Sequence, residues 1–387
     1  MSIRGIVVAL WLFAPPAFAA PPRDFTTETR AVRAVAACGE PAPTGYDKVT
    51  IAQHCRELAV LISRWRTNWF VKAQPFLAEH VVKPPTTVVY PFGGGDVVTM
   101  LTVYPDATDY TTLSLEGIGD PRPLAALAGK PAKLAANLAK LRTVLVANLG
   151  WAWNTTIQLS KDSSETGVGI PGILSILLVA LDAHGYEPIE ARYFELAGDG
   201  SLNYVTQERV DAFDAAQTKA PPKRSKDTHD LQQGIFTNIE VTFRKKGDAN
   251  APKKVFRHIA ADLSDEGLEK HAGALAYVDK KRDIAAMTKA ASYLFWKPGF
   301  EKIRNVFLAR MRIMVSDDTG IPPRFAKPAG FTQEVFGTYH GTFFKWADQI
   351  IAKEMIELWK TATTKTIAFR FGYYDNLRNP HLMITRK

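Results

Sequence analysis

Cysteine is scarce: Cys38 and Cys55 are the only two in 387 residues. With no further cysteine and no paired histidines, a structural zinc site of the finger type is excluded. Long apolar runs are also missing after the first residues. The longest later one, "IPGILSILLVAL" at 170–181, is about half of the roughly 20 residues a spanning helix needs, so it reads as a buried helix. Catalytic signatures are absent too. There is no G-x-S-x-G, no H-E-x-x-H, and no glycine loop followed by Lys-Ser/Thr. The eight histidines are scattered, so no Ser-His-Asp set is legible. No internal repeat, low-complexity tract or interdomain linker divides the chain.

What is present begins with "MSIRGIVVALWLFAPPAFAA". Arg4, an apolar stretch over 5–14 and Ala17-Phe18-Ala19 have the layout of a signal peptide, cut after Ala19 or Ala20. Pro15-Pro16 interrupts the run, which argues against a membrane anchor, and no cysteine follows the cut for a lipid. The expected location is periplasmic or secreted. In an oxidising compartment Cys38 and Cys55, close in sequence, are expected to form a disulfide; two buried free thiols are the alternative.

The composition is 46% hydrophobic and 11% aromatic, ample for a large core. The net charge of +9 favours anionic partners without choosing among them. Between Lys219 and Arg257 stand ten Lys/Arg against four Asp/Glu, read either as a solvated loop with lysine-protected edge strands or as an anion-binding face. No aromatic residues are interleaved with the lysines to stack bases, so nucleic acid is not expected.

The periodicities predict an extended lead-in over 20–46 and one large α/β domain over 47–387. Helical spacing covers 47–82, with Ile51, Leu58, Leu61, Ile62 and Trp65 on one face. A strand at 86–92 enters "FGGGD", a short helix follows from Val97 to Tyr104, and a second strand ends at Glu116. That order opens a doubly wound, Rossmann-like sheet. Residues 122–160 are helical, with Leu127, Leu134, Leu138, Leu141 and Leu145 aligned, and the helix 170–183 ends at Gly185. "IEARYFEL" and "LNYVT" flank a "GDGS" turn as a hairpin, and "IFTNIEVTFR" with "VFRHIAADL" form two further strands. The C-terminal third reads as strand "AASYLFW", helix "FEKIRNVFLARM", strand "RIMVS", strand "EVFGTYHG", a helix over 342–361, and a closing pair "TIAFRFGYYD" with "HLMITR". The expected fold is a central mixed sheet flanked by helices, with additional β-hairpins.

Two turns carry the candidate chemistry. Gly93, Gly94 and Gly95 let backbone amides approach a ligand, while Asp96 either joins them or caps the next helix. Glu116 stands at the spacing expected of an acid at the second strand's end. In "SDDTGIPPR", Asp317 and Asp318 follow a strand and could bind a divalent cation or act as a base, with Thr319 and Arg324 nearby; an Asx turn is the alternative. In "DLSDEGLEKH" Ser264 is the expected N-cap, and a metal role for Asp262 or Asp265 is the lesser option. The β-Gly-α-β-Glu order looks like the methyltransferase fold, but Tyr90-Pro91-Phe92 stand where that family places its acid.

"YPFGGGD" with the following "YP" and "LEGIG", then "DLSDEGL", then "ASYLF", "FEKIRN", "VSDDTGIP" and "FGTY" together resemble a family of exported bacterial proteins whose activity is not established. The likeness spans roughly residues 86–375. The family's glycine turn reads S-G-P-D, so this chain departs at two of its three glycines while Asp96 matches. The resemblance implies export and a shared architecture and adds no catalytic residue. The expected activity is that of a hydrolase or group-transfer enzyme, with or without a divalent metal, on a small polar or anionic substrate in a cleft built by Gly93–Asp96, Glu116 and Asp317–Thr319. A non-catalytic binding protein and an envelope structural protein are the alternatives.

Overall fold

The computed structural model describes residues 20–149, 169–219, 234–361 and 366–387. The expected signal peptide, the end of the expected helical stretch 122–160 and residues 220–233 of the basic loop lie outside the described residues.

Among the described residues, ten strands form one mixed sheet in the order β4-β3-β5-β6-β2-β1-β7-β8-β10-β9. In chain order they are β1 (Thr87–Pro91), β2 (Asp109–Ser114), β3 (Tyr186–Leu196), β4 (Leu202–Tyr204) and β5 (Asn238–Lys245). Then follow β6 (Lys254–Ala260), β7 (Ile284–Thr288), β8 (Met311–Ser316), β9 (Thr332–Gly337) and β10 (His381–Arg386). The centre, β6-β2-β1-β7-β8, is parallel. Antiparallel strands flank it: β5, β3 and β4 beyond β6, and β10 and β9 beyond β8.

Parallel strands covered on both faces read as continuous apolar runs, and side chains alternate between the faces. Val88 and Tyr90 pack into one apolar cluster and Val89 into another; Ala285 and Met287 oppose Ala286, and Ile313 and Val315 oppose Met314, in the same way. The first face is covered by helices Lys48–Trp65, Val71–His80, Val97–Val103, Pro131–Leu149 and Gly172–Ala183. Ile51, Leu58 and Trp65 are buried as their spacing predicts, as are Leu134, Leu138, Leu141 and Leu145. The opposite face carries Asp265–Lys270, Ala272–Lys280 and Glu301–Arg310. A third cluster joins helix Gln349–Thr361 to β9 and β10 through Met355, Trp359, Val335 and Met383.

Several boundaries follow their local signals. Asp47 caps its helix by accepting from the Thr50 N–H at 2.9 Å, and Ser264 does the same for the Gly267 N–H at 3.0 Å. The predicted hairpin is the β3–β4 pair. Cys38 and Cys55 are bridged, with Cα atoms 5.7 Å apart. Among the described residues, no helix is long and apolar enough to cross a membrane.

Four predicted elements differ. The lead-in over 20–46 is not extended throughout: Thr26–Val32 and Arg33–Ala37 are helical and pack their buried side chains, Val32 and Val35 among them, into the first core cluster. "AASYLFW" is not a strand: the strand is Ile284–Thr288 just before it, and residues 290–293 form a tight turn. Ala285-Ala286-Met287 in the middle of this buried strand hid it, because β-branched residues stand only at its ends, Ile284 and Thr288. "TIAFRFGYYD" does not pair with "HLMITR", because β10 is already flanked by β8 and β9. The helix expected over 342–361 starts only at Gln349; the residues before it form an aromatic loop.

Candidate functional site

β1 leads to β2 in one direction along the sheet and β7 leads to β8 in the other, so the strand order reverses between β1 and β7. At such a switch point the two departing connections leave a crevice beyond the carboxyl ends of the strands. A cavity of about 200 Å³ opens there. It is lined by the turns after four parallel strands: Gly93–Asp96 after β1, Glu116 after β2, Asp262 after β6, and Lys289–Ser292 after β7. Phe92, Phe300 and Leu294 supply apolar wall.

The glycine turn is shaped by close packing. A Cβ on Gly93 would stand 2.6 Å from the Tyr90 ring, and Gly94 has φ +45°. The Gly93 N–H donates to the Leu113 carbonyl at 3.1 Å, fastening the turn to β2. Asp96 stands at the start of helix Val97–Val103, where its Oδ1 accepts from the Thr99 hydroxyl at 2.7 Å. Its Oδ2 accepts from the Tyr90 hydroxyl at 3.2 Å and meets the Lys289 ammonium at 2.7 Å. Lys289 Nζ also donates to Thr99 Oγ1 at 2.9 Å. A carboxylate thus already occupies the helix start that would otherwise attract an anion. The cavity wall carries three carboxylates, Asp96, Glu116 and Asp262, against one ammonium, Lys289.

Of the residues singled out in the sequence, Gly93, Gly94, Gly95, Asp96, Glu116 and the lesser candidate Asp262 converge here. Asp317, Asp318 and Thr319 leave their strand on the same rim but do not line the cavity, because they are fully buried behind its wall. Asp317 is used up as an acceptor: the Ala290 and Tyr373 N–H groups donate to Oδ2, both at 2.9 Å, and the Thr319 N–H to Oδ1 at 3.0 Å. The Ala291 N–H donates to Thr319 Oγ1 at 3.1 Å. Asp318 accepts from the Tyr293 hydroxyl at 2.7 Å and faces His381 Nε2 at 3.1 Å. Arg324 is on the exterior, bonded to Glu354. The structure therefore corrects the expected cleft: the second acidic turn braces the wall rather than forming it.

That wall is strained. Ala290, Ser292 and Tyr293 have φ of +51°, +52° and +56°, and Phe92 across the cavity has +60°. Left-handed backbone at non-glycine residues persists only where surrounding bonds over-determine it, and it gathers at functional sites. Here those bonds come from Asp317, Asp318 and Thr319. The sequence missed Lys289, Ser292 and Asp262 as joint members of one wall. Lys289 follows a strand that was not recognised, and nothing local marks a left-handed alanine or serine.

Among the described residues, no group of three or more His, Cys, Asp or Glu side chains is gathered to hold a metal ion. No histidine or cysteine lines the cavity among them either, so the Ser292 hydroxyl has no imidazole beside it there.

The brace is electrostatically loaded. Burial pushes the Asp317 carboxyl up to about 6, with the Asp318 charge adding to the rise. Burial lowers the His381 pKa, but the Asp318 and Asp317 carboxylates outweigh it and the net shift is upward. Both shifts favour the acid side. Between the unfolded carboxyl value of 3.8 and about 6, the folded state keeps a proton on Asp317 that the unfolded chain has lost, so this contribution falls as pH rises. His381 contributes stability that is complete below its unfolded value of 6.5 and is lost as pH rises through its raised folded value. In thermal melts from about pH 5 to about pH 9, the advantage of the wild type over His381→Asn is expected to be greatest at the acid end and to shrink toward the alkaline end. An advantage constant across that range would contradict the ion pair.

Comparison with protein-family models, with curated proteins and with solved structures finds no match to this chain.

Proposed function

We propose that the chain is an exported protein that binds a small polar molecule in the cavity between β1 and β7 and acts on it as a hydrolase or group-transfer enzyme. One observation carries this: charged side chains from the ends of four parallel strands, Asp96, Glu116, Asp262 and Lys289, meet around a single cavity at the switch point. Glu116 and Asp262 are the candidates for proton transfer. Lys289, oriented by Asp96 and Thr99, is the candidate for holding an oxygen of the substrate. The excess of carboxylates supports a neutral or cationic polar ligand over an anionic one. Export is supported by the leader's layout and by the Cys38–Cys55 bridge.

A non-catalytic binding protein is the second reading. It is favoured by the Asp96–Lys289 contact of 2.7 Å, which neutralises the single ammonium of the wall. A screen of glycosides, amines, esters and phosphorylated compounds separates the two, reading both melting temperature and turnover. The enzyme reading expects a compound that raises the melting temperature and is consumed, with Glu116→Gln and Asp262→Asn lowering turnover about 100-fold or more. Binding without turnover selects the second reading. A wild-type protein stabilised by nothing, or turnover untouched in both variants, defeats the first.

A further inference from the structure

Large exposed apolar side chains are few on the described surface, and four of them lie on the segment 343–350 and on the turn at 377 whose neighbour Asn376 is bonded to Gly341. Phe343 and Trp346 are 48% and 50% exposed, and Ile350 and Leu377 are each 65% exposed. The others are valines, four on helices and Val82 just beyond one, so both exposed aromatics belong to this one patch. Its construction is firm. The Phe344 ring packs at 4.0 Å from Phe343 and 4.9 Å from Trp346, and Trp346 rests edge-on against Tyr293 at 5.4 Å. The Asn376 N–H donates to the Gly341 carbonyl at 2.8 Å, which draws the turn bearing Leu377 beside the aromatic loop.

The charge around these tips is predominantly basic. Lys345, Lys353 and Arg378 are exposed, and Lys297 Nζ stands 4.9 Å over the Trp346 ring. Lys353 follows Ile350 by three positions, so the two share a helix face. Of the nearby acids, Asp348 is an exposed carboxylate within the patch, while Glu354 and Asp375 have basic partners. Asp348 caps helix Gln349–Thr361 by accepting from the Ile350 and Ile351 N–H groups, Glu354 pairs with Arg324, and Asp375 is buried against His340.

Aromatic and aliphatic tips inside a ring of lysine and arginine match the boundary between lipid headgroups and acyl chains. Apolar tips bury there while the cations meet anionic headgroups. We propose that this patch docks the protein on an anionic lipid bilayer. A soluble polysaccharide fits less well, because Ile350 and Leu377 offer a sugar no hydrogen bond.

The test is co-sedimentation of the purified protein with vesicles of phosphatidylcholine, alone or mixed with phosphatidylglycerol. Binding is expected to the mixed vesicles, far weaker binding to the neutral ones, and loss at high salt. Phe343→Ser with Leu377→Ser should lower partitioning about tenfold or more, since two buried tips are lost. Lys345→Glu with Arg378→Glu should remove the salt-sensitive part. Unchanged melting temperatures of these exposed-site variants show that they fold. Three results would overturn the proposal: no vesicle binding by the wild type, equal binding by the apolar double variant, or a wild-type dimer in sedimentation that Phe343→Ser dissociates. Salt-sensitive capture by an acidic polysaccharide, indifferent to the Phe343 change and without vesicle binding, overturns it as well.

Discussion

Asp317→Ala is expected to lower folding stability by about 3–5 kcal/mol, since it removes a buried charged acceptor and strands its donors. Three backbone N–H groups, those of Ala290, Thr319 and Tyr373, end on this one carboxylate; Thr319 and Tyr373 are buried and Ala290 is half-buried on the cavity wall. Each buried donor left without an acceptor costs about 1–3 kcal/mol. Asp317→Asn keeps the shape but turns an amide NH₂ toward one of the donors, so it should recover only part of the loss. Gly372 provides an independent check. Its φ is +73°, and an added Cβ would stand 1.8 Å from Asp317 Oδ2, so Gly372→Ala should disturb the same brace from the opposite side. Denaturant midpoints read all three variants. A wild-type midpoint in Asp317→Ala, accompanied by loss of activity, would return Asp317 to the direct chemical role that its sequence position suggests.

Removing the disulfide, as Cys38→Ala with Cys55→Ala, is expected to cost about 3 kcal/mol for a loop of this size. The bridge closes a separation of 17 residues and fastens the end of the leading segment to helix Lys48–Trp65. The same segment is held at Arg33, which is buried and grips Asp182 through two contacts of 2.8 and 2.7 Å. The double variant should therefore lose stability without releasing the segment entirely. Reductant added to the wild type should reproduce most of the drop. If reduction leaves the denaturation curve in place, the bridge does not form, and one support for export goes with it.

The site was legible in the sequence on one side only. The glycine turn, Asp96 and Glu116 could be found because a strand, a turn and a helix follow one another within thirty residues, and each carries its own local signal. Lys289 could not, and Asp262 stood out only as a lesser metal candidate, with nothing to join it to this wall. They reach the cavity through strand neighbours far away in sequence, and the strand before Lys289 is built on two alanines. Asp317 and Asp318 were correctly placed on the cavity's rim of the sheet. Whether a carboxylate on that rim faces the cleft or the wall depends on which backbone donors stand behind it, and those come from residues 290 and 373.

The sequence by itself determined the α/β character, the mixed sheet and most helix faces, and it limited any disulfide to Cys38 with Cys55. Each follows from periodicity, capping or short separation, which act over a few residues. Tertiary structure alone decided the strand order, the reversal between β1 and β7, the left-handed wall at 290–293 and the burial of Asp317. These depend on long-range pairing, in which a buried polar group takes whatever partner the packed sheet brings to it.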